Sequence, residues 1–154
     1  MKLYYIDKHD NHILGLTGIL IDVDGSPRGY VAWYNHNNNN SMIRTTRRLP
    51  KNQKFGVQRA EMVAIYYGLK DNIKPLLESK TSGRRKICID VRSDSRSTID
   101  QLHGASKIRD WKLLKIIRSI MTLLLDKTIS IGFNHIRRNK NIAGLILDFQ
   151  RRRH

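Results

Sequence analysis

Residues 18–34 read GILIDVDGSPRGYVAWY, and their patterning decides how the rest of the chain is read. Ile19, Ile21 and Val23 fall on one side of an extended chain, with Leu20, Asp22 and Asp24 on the other. Period-two alternation of β-branched residues closed by Gly-Ser predicts a strand and a turn. GYVAWYN then predicts a second strand. HNNNNS (36–41) predicts a hairpin loop, because asparagine tolerates turns and positive φ. MIRTTRRL supplies a third strand, so the chain opens as an antiparallel meander. Asp22 and Asp24 end an apolar run in a basic chain. Carboxylates placed there are either turn formers or ligands for a cation.

The remaining 100-odd residues change period. After a basic loop, PKNQKFG, the stretch VQRAEMVAIYYGLKDNIKPLL carries Ala60, Val63, Ala64, Tyr67 and Leu69 on one helical face, and Pro75 predicts an end or a kink. KICIDVRSDS alternates again, with Ile87, Ile89 and Val91 opposite Cys88, Asp90, Arg92 and Asp94. A helix follows, capped by Ser93, Asp94 or Ser95. Residues 106–127 read as one long amphipathic helix, TISIGFNHI as a fifth strand, and residues 139–154 as a last helix with a basic end. The order β-β-β-α-β-α-α-β-α predicts an α/β fold: a mixed five-stranded sheet, three meander strands plus two more, flanked by helices.

Composition narrows the partner. The 154 residues suit one domain, and 29 Lys and Arg against 13 Asp and Glu give a formal net charge of +16. Such an excess is self-repulsive and favours a polyanion; nucleic acid is the usual one. No run approaches the roughly 18 apolar residues of a membrane span, and MKLYYIDKHDNHILG does not read as a signal or transit peptide. The chain is therefore expected inside the cell, in a compartment that holds nucleic acid, cytoplasmic or organellar. Cys88 is alone in the sequence, which excludes an internal disulfide and a cysteine zinc site.

Three acids stand at element ends: Asp24 closing the first strand, Glu61 early in the first helix, and Asp94 where the fourth strand meets a helix. If strands one and four are neighbours, these carboxylates meet. Hard oxygen ligands of this kind suit Mg²⁺ or Mn²⁺, which can activate water at a phosphodiester. Singly, each acid has a plainer reading: a turn, favourable helix electrostatics or a cap. The combination in this order points to a metal centre.

With those motifs in place, the chain resembles the ribonuclease H family over roughly residues 17–148. DGSPRGYVAW, VQRAEMVAIYYGL and IDVRSDSRSTIDQL look like its three acidic motifs, and ISIGFNHIRRNKNIAG like its last strand, substrate loop and final helix. The resemblance is closest to archaeal, plant-type and reverse-transcriptase-like members. It implies endonucleolytic hydrolysis of the RNA strand of an RNA–DNA hybrid using two Mg²⁺ ions, with double-stranded RNA as a further substrate. Asp24, Glu61 and Asp94 would be the catalytic, Mg²⁺- or Mn²⁺-binding acids. Gly25, Ser26, Arg44, Arg47, Arg48, Lys51, Lys54, Gln58, Ser95, Arg96, Arg137, Arg138, Lys140 and Asn141 would meet nucleic acid. Residues 1–16 read as an extension and 149–154 as a basic tail. Asp22 is a supporting or solvated neighbour of the site, while His36 and His103 are surface residues and His135 ends the fifth strand.

Two departures stand out. The family's fourth acid, at the start of the last helix, is Gly144 here, and Asp148 lies one turn further on, out of reach of the centre unless the helix shifts. Asn141 corresponds to the family asparagine if one residue is deleted; without a gap, Lys140 does. The family asparagine ahead of the second acid is Val57, which cannot hydrogen-bond a 2′-hydroxyl. Basic clusters at Arg84–Lys86 and Arg151–Arg153 lie off the expected groove. Together with Gly144 they support an alternative, a catalytically degenerate RNA-binding subunit of a ribonucleoprotein such as an organellar ribosome.

Overall fold

Alternation and turn residues do build the meander: β1 (Thr17–Ser26), β2 (Tyr30–Asn35) and β3 (Ser41–Thr45) pair antiparallel in sequence. The structure is a computed structural model and describes residues 17–48, 54–78, 87–125 and 129–153. Residues 1–16, Lys51 and the Arg84–Lys86 cluster lie outside these. After α1 (Gly56–Glu78) the chain enters β4 (Ile87–Ser93) parallel to β1. Helices α2 (Arg96–Leu102) and α3 (Trp111–Leu123) lead to β5 (Ile129–His135), parallel to β4. A short 3₁₀ turn at Arg138–Lys140 precedes α4 (Ile142–Arg153). The sheet order is β3-β2-β1-β4-β5, a mixed five-stranded α/β sheet with β1 at its centre.

Burial on both faces explains why β1 and β4 are so apolar. Ile21 and Val23 pack with Met62, Ile65 and Leu69 of α1 in the main core, which also holds Ile89, Val91 and the fully buried Phe133. Each such side chain contributes about 1.5–3 kcal/mol by leaving water. On the opposite face, Ala143 and Leu147 of α4 pack on Ala32 of β2. Asp22 and Asp24 point to that second face, beneath the start of α4.

Two helices depart from expectation. Pro75 does not end α1, which runs on to Glu78, and Leu76 packs against the core beyond it. Tertiary contact thus holds a last turn that lacks one hydrogen-bond donor. Helix α3 does not begin at Ser106 but at Trp111, because the Asp110 side chain accepts the Leu113 amide as an N-cap. Asp110 also accepts from Nε and Nη2 of the Arg59 guanidinium, at 2.6 and 2.8 Å, and so ties α3 to α1 in a nearly buried pair. That pairing holds the Asp110 carboxyl below its usual range. Replacing Asp110 by Ala strands a buried guanidinium and removes a cap. The expected loss is about 3 kcal/mol, read as a lower urea midpoint with the m-value unchanged.

Candidate metal centre and nucleic-acid interface

Register brings the acids together. Because β1 and β4 are neighbours and parallel, Asp24 and Asp94 leave the sheet at the same end. The first turns of α1 cross that end, where an added Cβ on Gly25 would stand 2.1 Å from the Ala60 carbonyl oxygen. Glycine there lets the helix close on the strand and lowers Glu61 onto the aspartates. One carboxylate oxygen from each of Asp24, Glu61 and Asp94 lies within 4.8 Å of the others. Of the three candidates for the α2 cap, Ser95 takes the role by accepting the Thr98 amide. Asp94 is thereby free to face the cluster.

The electrostatics are those of a centre that wants a cation. Glu61 and Asp24 are only 6% and 4% exposed, and Glu61 Oε2 and Asp24 Oδ1 are buried with no hydrogen-bond partner among the described residues. Burial, with repulsion from Asp94, pushes the Asp24 carboxyl up to about 6. Burial raises Glu61 well above the usual carboxylate value, and the neighbouring Asp24 and Asp94 add to it. Unpartnered buried oxygens are costly, and a hard divalent ion is the species that satisfies several at once. The donor set therefore fits Mg²⁺ or Mn²⁺.

A pH dependence follows. A carboxyl whose native value is raised holds its proton longer in the folded state, so stability falls as pH rises from about 4 through about 6. Asp24→Asn removes that loss. The metal-free variant is expected to be more stable than the parent by about 3 kcal/mol at pH 7.5, with the difference fading by pH 4. Thermal melts across this range check it.

Asp22 is neither a ligand nor solvated. It is fully buried, accepts Arg92 Nε at 2.7 Å, contacts His36 Nε2 at 2.9 Å, and accepts the Ile142 amide at the start of α4. Arg92 is its register partner on β4. This trio pins the N-terminus of α4 to the sheet, and it places His36 in a structural role rather than at the open surface. His103 is exposed, with its ring against the Phe133 carbonyl oxygen; His135 ends β5 as expected. Asp90 lies away from the centre and takes the Asn134 amide on β5.

Asn141 is also buried rather than presented to nucleic acid. Its amide donates to the Val23 carbonyl and its oxygen accepts the Gly144 amide, so it caps α4 from inside. Gly144 faces the acids, and an added Cβ would sit 3.6 Å from both Asp24 Oδ2 and Asp94 Oδ2. Gly144 is thus set beside two of the acids and offers no carboxylate of its own. Asp148 lines the cleft after all, although it stays one turn away from the ligand cluster.

A cleft of about 680 Å³ opens over the centre, lined by Asp24, Gly25, Ser26, Arg28, Tyr30, Arg48, Val57, Glu61, Arg138, Asp148 and Arg151 among others. The expected nucleic-acid residues divide accordingly. Gly25, Ser26, Arg48 and Arg138 line the cleft. Arg47, Lys54, Gln58, Arg96, Arg137 and Lys140 stand outside its lining, all of them exposed except half-buried Gln58. Arg44 is withdrawn, because Asp71 of α1 takes its guanidinium at 2.6 and 2.8 Å over the Tyr67 ring. Ser95 is occupied as a cap. Arg28 was missed by sequence reasoning, although it lies only two residues past the DGS turn. Arg151, expected off the groove, reaches it because α4 continues to Arg153 and turns that side chain toward Asp148.

The architecture matches a known class. The fold is that of ribonuclease H. No family model and no curated protein matches the sequence, but solved structures do. The chain is similar to RNase H1 from the halophilic archaeon Halobacterium salinarum, with a TM-score of 0.66 and 20% identity over 84% of this chain and 93% of that one. It is similar to the N-terminal RNase H domain of a Mycobacterium tuberculosis protein, with a TM-score of 0.64 and 19% identity over 85% and 95%. It is also similar to LC11-RNase H1 solved in complex with an RNA/DNA hybrid, with a TM-score of 0.59 and 20% identity over 80% and 88%.

Proposed function

We propose that this chain is a metal-dependent endonuclease that hydrolyses the RNA strand of RNA–DNA hybrids. The observation that carries the reading is the pair of buried, unpartnered carboxylate oxygens on Asp24 and Glu61, set beside Asp94 at the floor of an arginine-lined cleft. Similarity of fold to LC11-RNase H1, solved with a hybrid bound, supports the same substrate class. Asp24, Glu61 and Asp94 would hold Mg²⁺ or Mn²⁺. When bound, the ion lowers the pKa of the attacking water and stabilises charge on the phosphodiester oxygens.

The chain's own residues do the rest. Arg28 and Arg48 on the cleft wall hold backbone phosphates and set the register of the duplex. Burial of the acids excludes bulk water from the reacting side. Val57 is 57% exposed on the cleft rim and offers no group to a 2′-hydroxyl, so discrimination of RNA from DNA falls to the remaining contacts. Double-stranded RNA is for the same reason a second candidate substrate.

The test is cleavage of an end-labelled hybrid with Mg²⁺, with Mn²⁺ and with chelator, beside Asp94→Asn. Metal-dependent cutting of the RNA strand, lost in the variant, is the expected result. Tight binding without cutting under either ion would overturn it and leave a protein that holds RNA without hydrolysing it.

A further inference from the structure

The acid cluster has a side already held by a cation of the protein's own. Arg138, in the 3₁₀ turn ahead of α4, places one guanidinium nitrogen 3.2 Å from Asp94 Oδ2 and another 3.1 Å from Asp148 Oδ1. Asp94 Oδ2 is the same atom that an added Cβ on Gly144 would approach at 3.6 Å. The guanidinium therefore sits on the side of the centre from which an aspartate at position 144 would come. Its charge acts on Asp24 as well, where it opposes the rise that burial imposes. Asp148 is turned to the same group and also pairs with Arg151.

We infer that the centre takes one divalent ion rather than two, with the Arg138 guanidinium standing where a second ion would compensate charge. The inference rests on the proposed function above. Charge supports it: three ligand carboxylates, one divalent ion and one guanidinium come to neutral. A second divalent ion would add two charges on a side where Gly144 offers no carboxylate and those of Asp94 and Asp148 are already paired with arginine. Distance supports it too. A metal pair needs about 3.5–4 Å between ions with shared bridging oxygens, and the oxygen on that side, Asp94 Oδ2, is already engaged by Arg138. The guanidinium is half-exposed and permanently charged, with planar donors that suit a phosphate. It would meet the developing charge on the scissile phosphate by hydrogen bonds, which makes it a catalytic residue that touches substrate.

Mn²⁺ bound per protein, counted from the loss of the free-ion electron paramagnetic resonance signal at saturation, tests this without any turnover. The full chain is expected to bind one ion with an uncoupled spectrum. Arg138→Ala combined with Gly144→Asp is expected to bind two, with the broadening of a coupled pair, and circular dichroism on the same sample checks that this variant is folded. Gly144→Asp alone is expected to stay at one, because the guanidinium remains and gains a partner. Two coupled ions in the parent chain would overturn the one-ion inference and leave the proposed nuclease standing. No bound ion in the parent would overturn both.

Discussion

Replacing Glu61 by Gln is expected to cut hydrolysis of a hybrid at least about 10³-fold, a rise of roughly 4 kcal/mol in the barrier. The metal-free protein is expected at the same time to melt higher. Both follow from the same geometry. Glu61 is a buried carboxyl beside two others, with one oxygen that nothing in the described chain satisfies. In the absence of a cation, its charge is a cost of folding. The amide of glutamine keeps the shape, brings donors toward Asp24, and removes one negative charge. A gain of about 1–2 kcal/mol corresponds to a few degrees in Tm for a chain of this size. Divalent ions should raise the Tm of the parent by mass action and have much less effect on the variant. A Tm that falls on Glu61→Gln without metal would show that the carboxyl is a structural group rather than a ligand waiting for its ion.

Gly25→Ala is expected to do the opposite: to remove the fold rather than the chemistry. The added Cβ would stand 2.1 Å from the Ala60 carbonyl oxygen and 2.5 Å from its carbon, both backbone atoms of α1. No side chain can swing aside to relieve that contact. The helix must lift from β1, taking Glu61 from the aspartates and Met62 and Ile65 from the core. Overpacking against flexible neighbours costs about 1–3 kcal/mol; here the obstacle is backbone, and a loss of about 4 kcal/mol or more is expected. The measurement is soluble yield and a chemical-denaturation curve. An alanine variant with parental stability and undiminished cleavage would show that the close approach of α1 to β1 does not position the site.

The two substitutions separate parts of the problem that the sequence mixes. Glu61 and Gly25 are one motif apart in sequence terms, each an ordinary residue in an ordinary element. Their roles differ because one touches the cleft and the other touches a helix backbone. The alternative role, as an RNA-binding subunit, has Gly144 in its favour. Yet Gly144 lies against a cluster of three acids placed together, two of them buried with an oxygen that nothing in the described chain satisfies, a costly arrangement to keep where no cation is bound.

What the sequence determined by itself was local and periodic. Alternation in residues 18–34 and 86–95, helical spacing from Val57 to Leu77, and the Asn-rich turn were enough for the element order and the mixed sheet, because side-chain period is dictated by backbone geometry. The three acids were legible because each lies close to one end of an element, and the ends of neighbouring parallel strands must meet. What only the tertiary structure decided was which charges pair. Arg44 reads as a phosphate contact until Asp71 takes it; Asp22 reads as either a supporting or a solvated neighbour of the site until Arg92, His36 and the α4 amide close over it. Arg138 reads as a nucleic-acid contact and Asp148 as a residue out of reach until the 3₁₀ turn sets Arg138 between Asp94 and Asp148. Periodicity says which face a side chain occupies, but ion pairing depends on distances of a few ångströms between elements far apart in the chain, and those are set only when the layers pack.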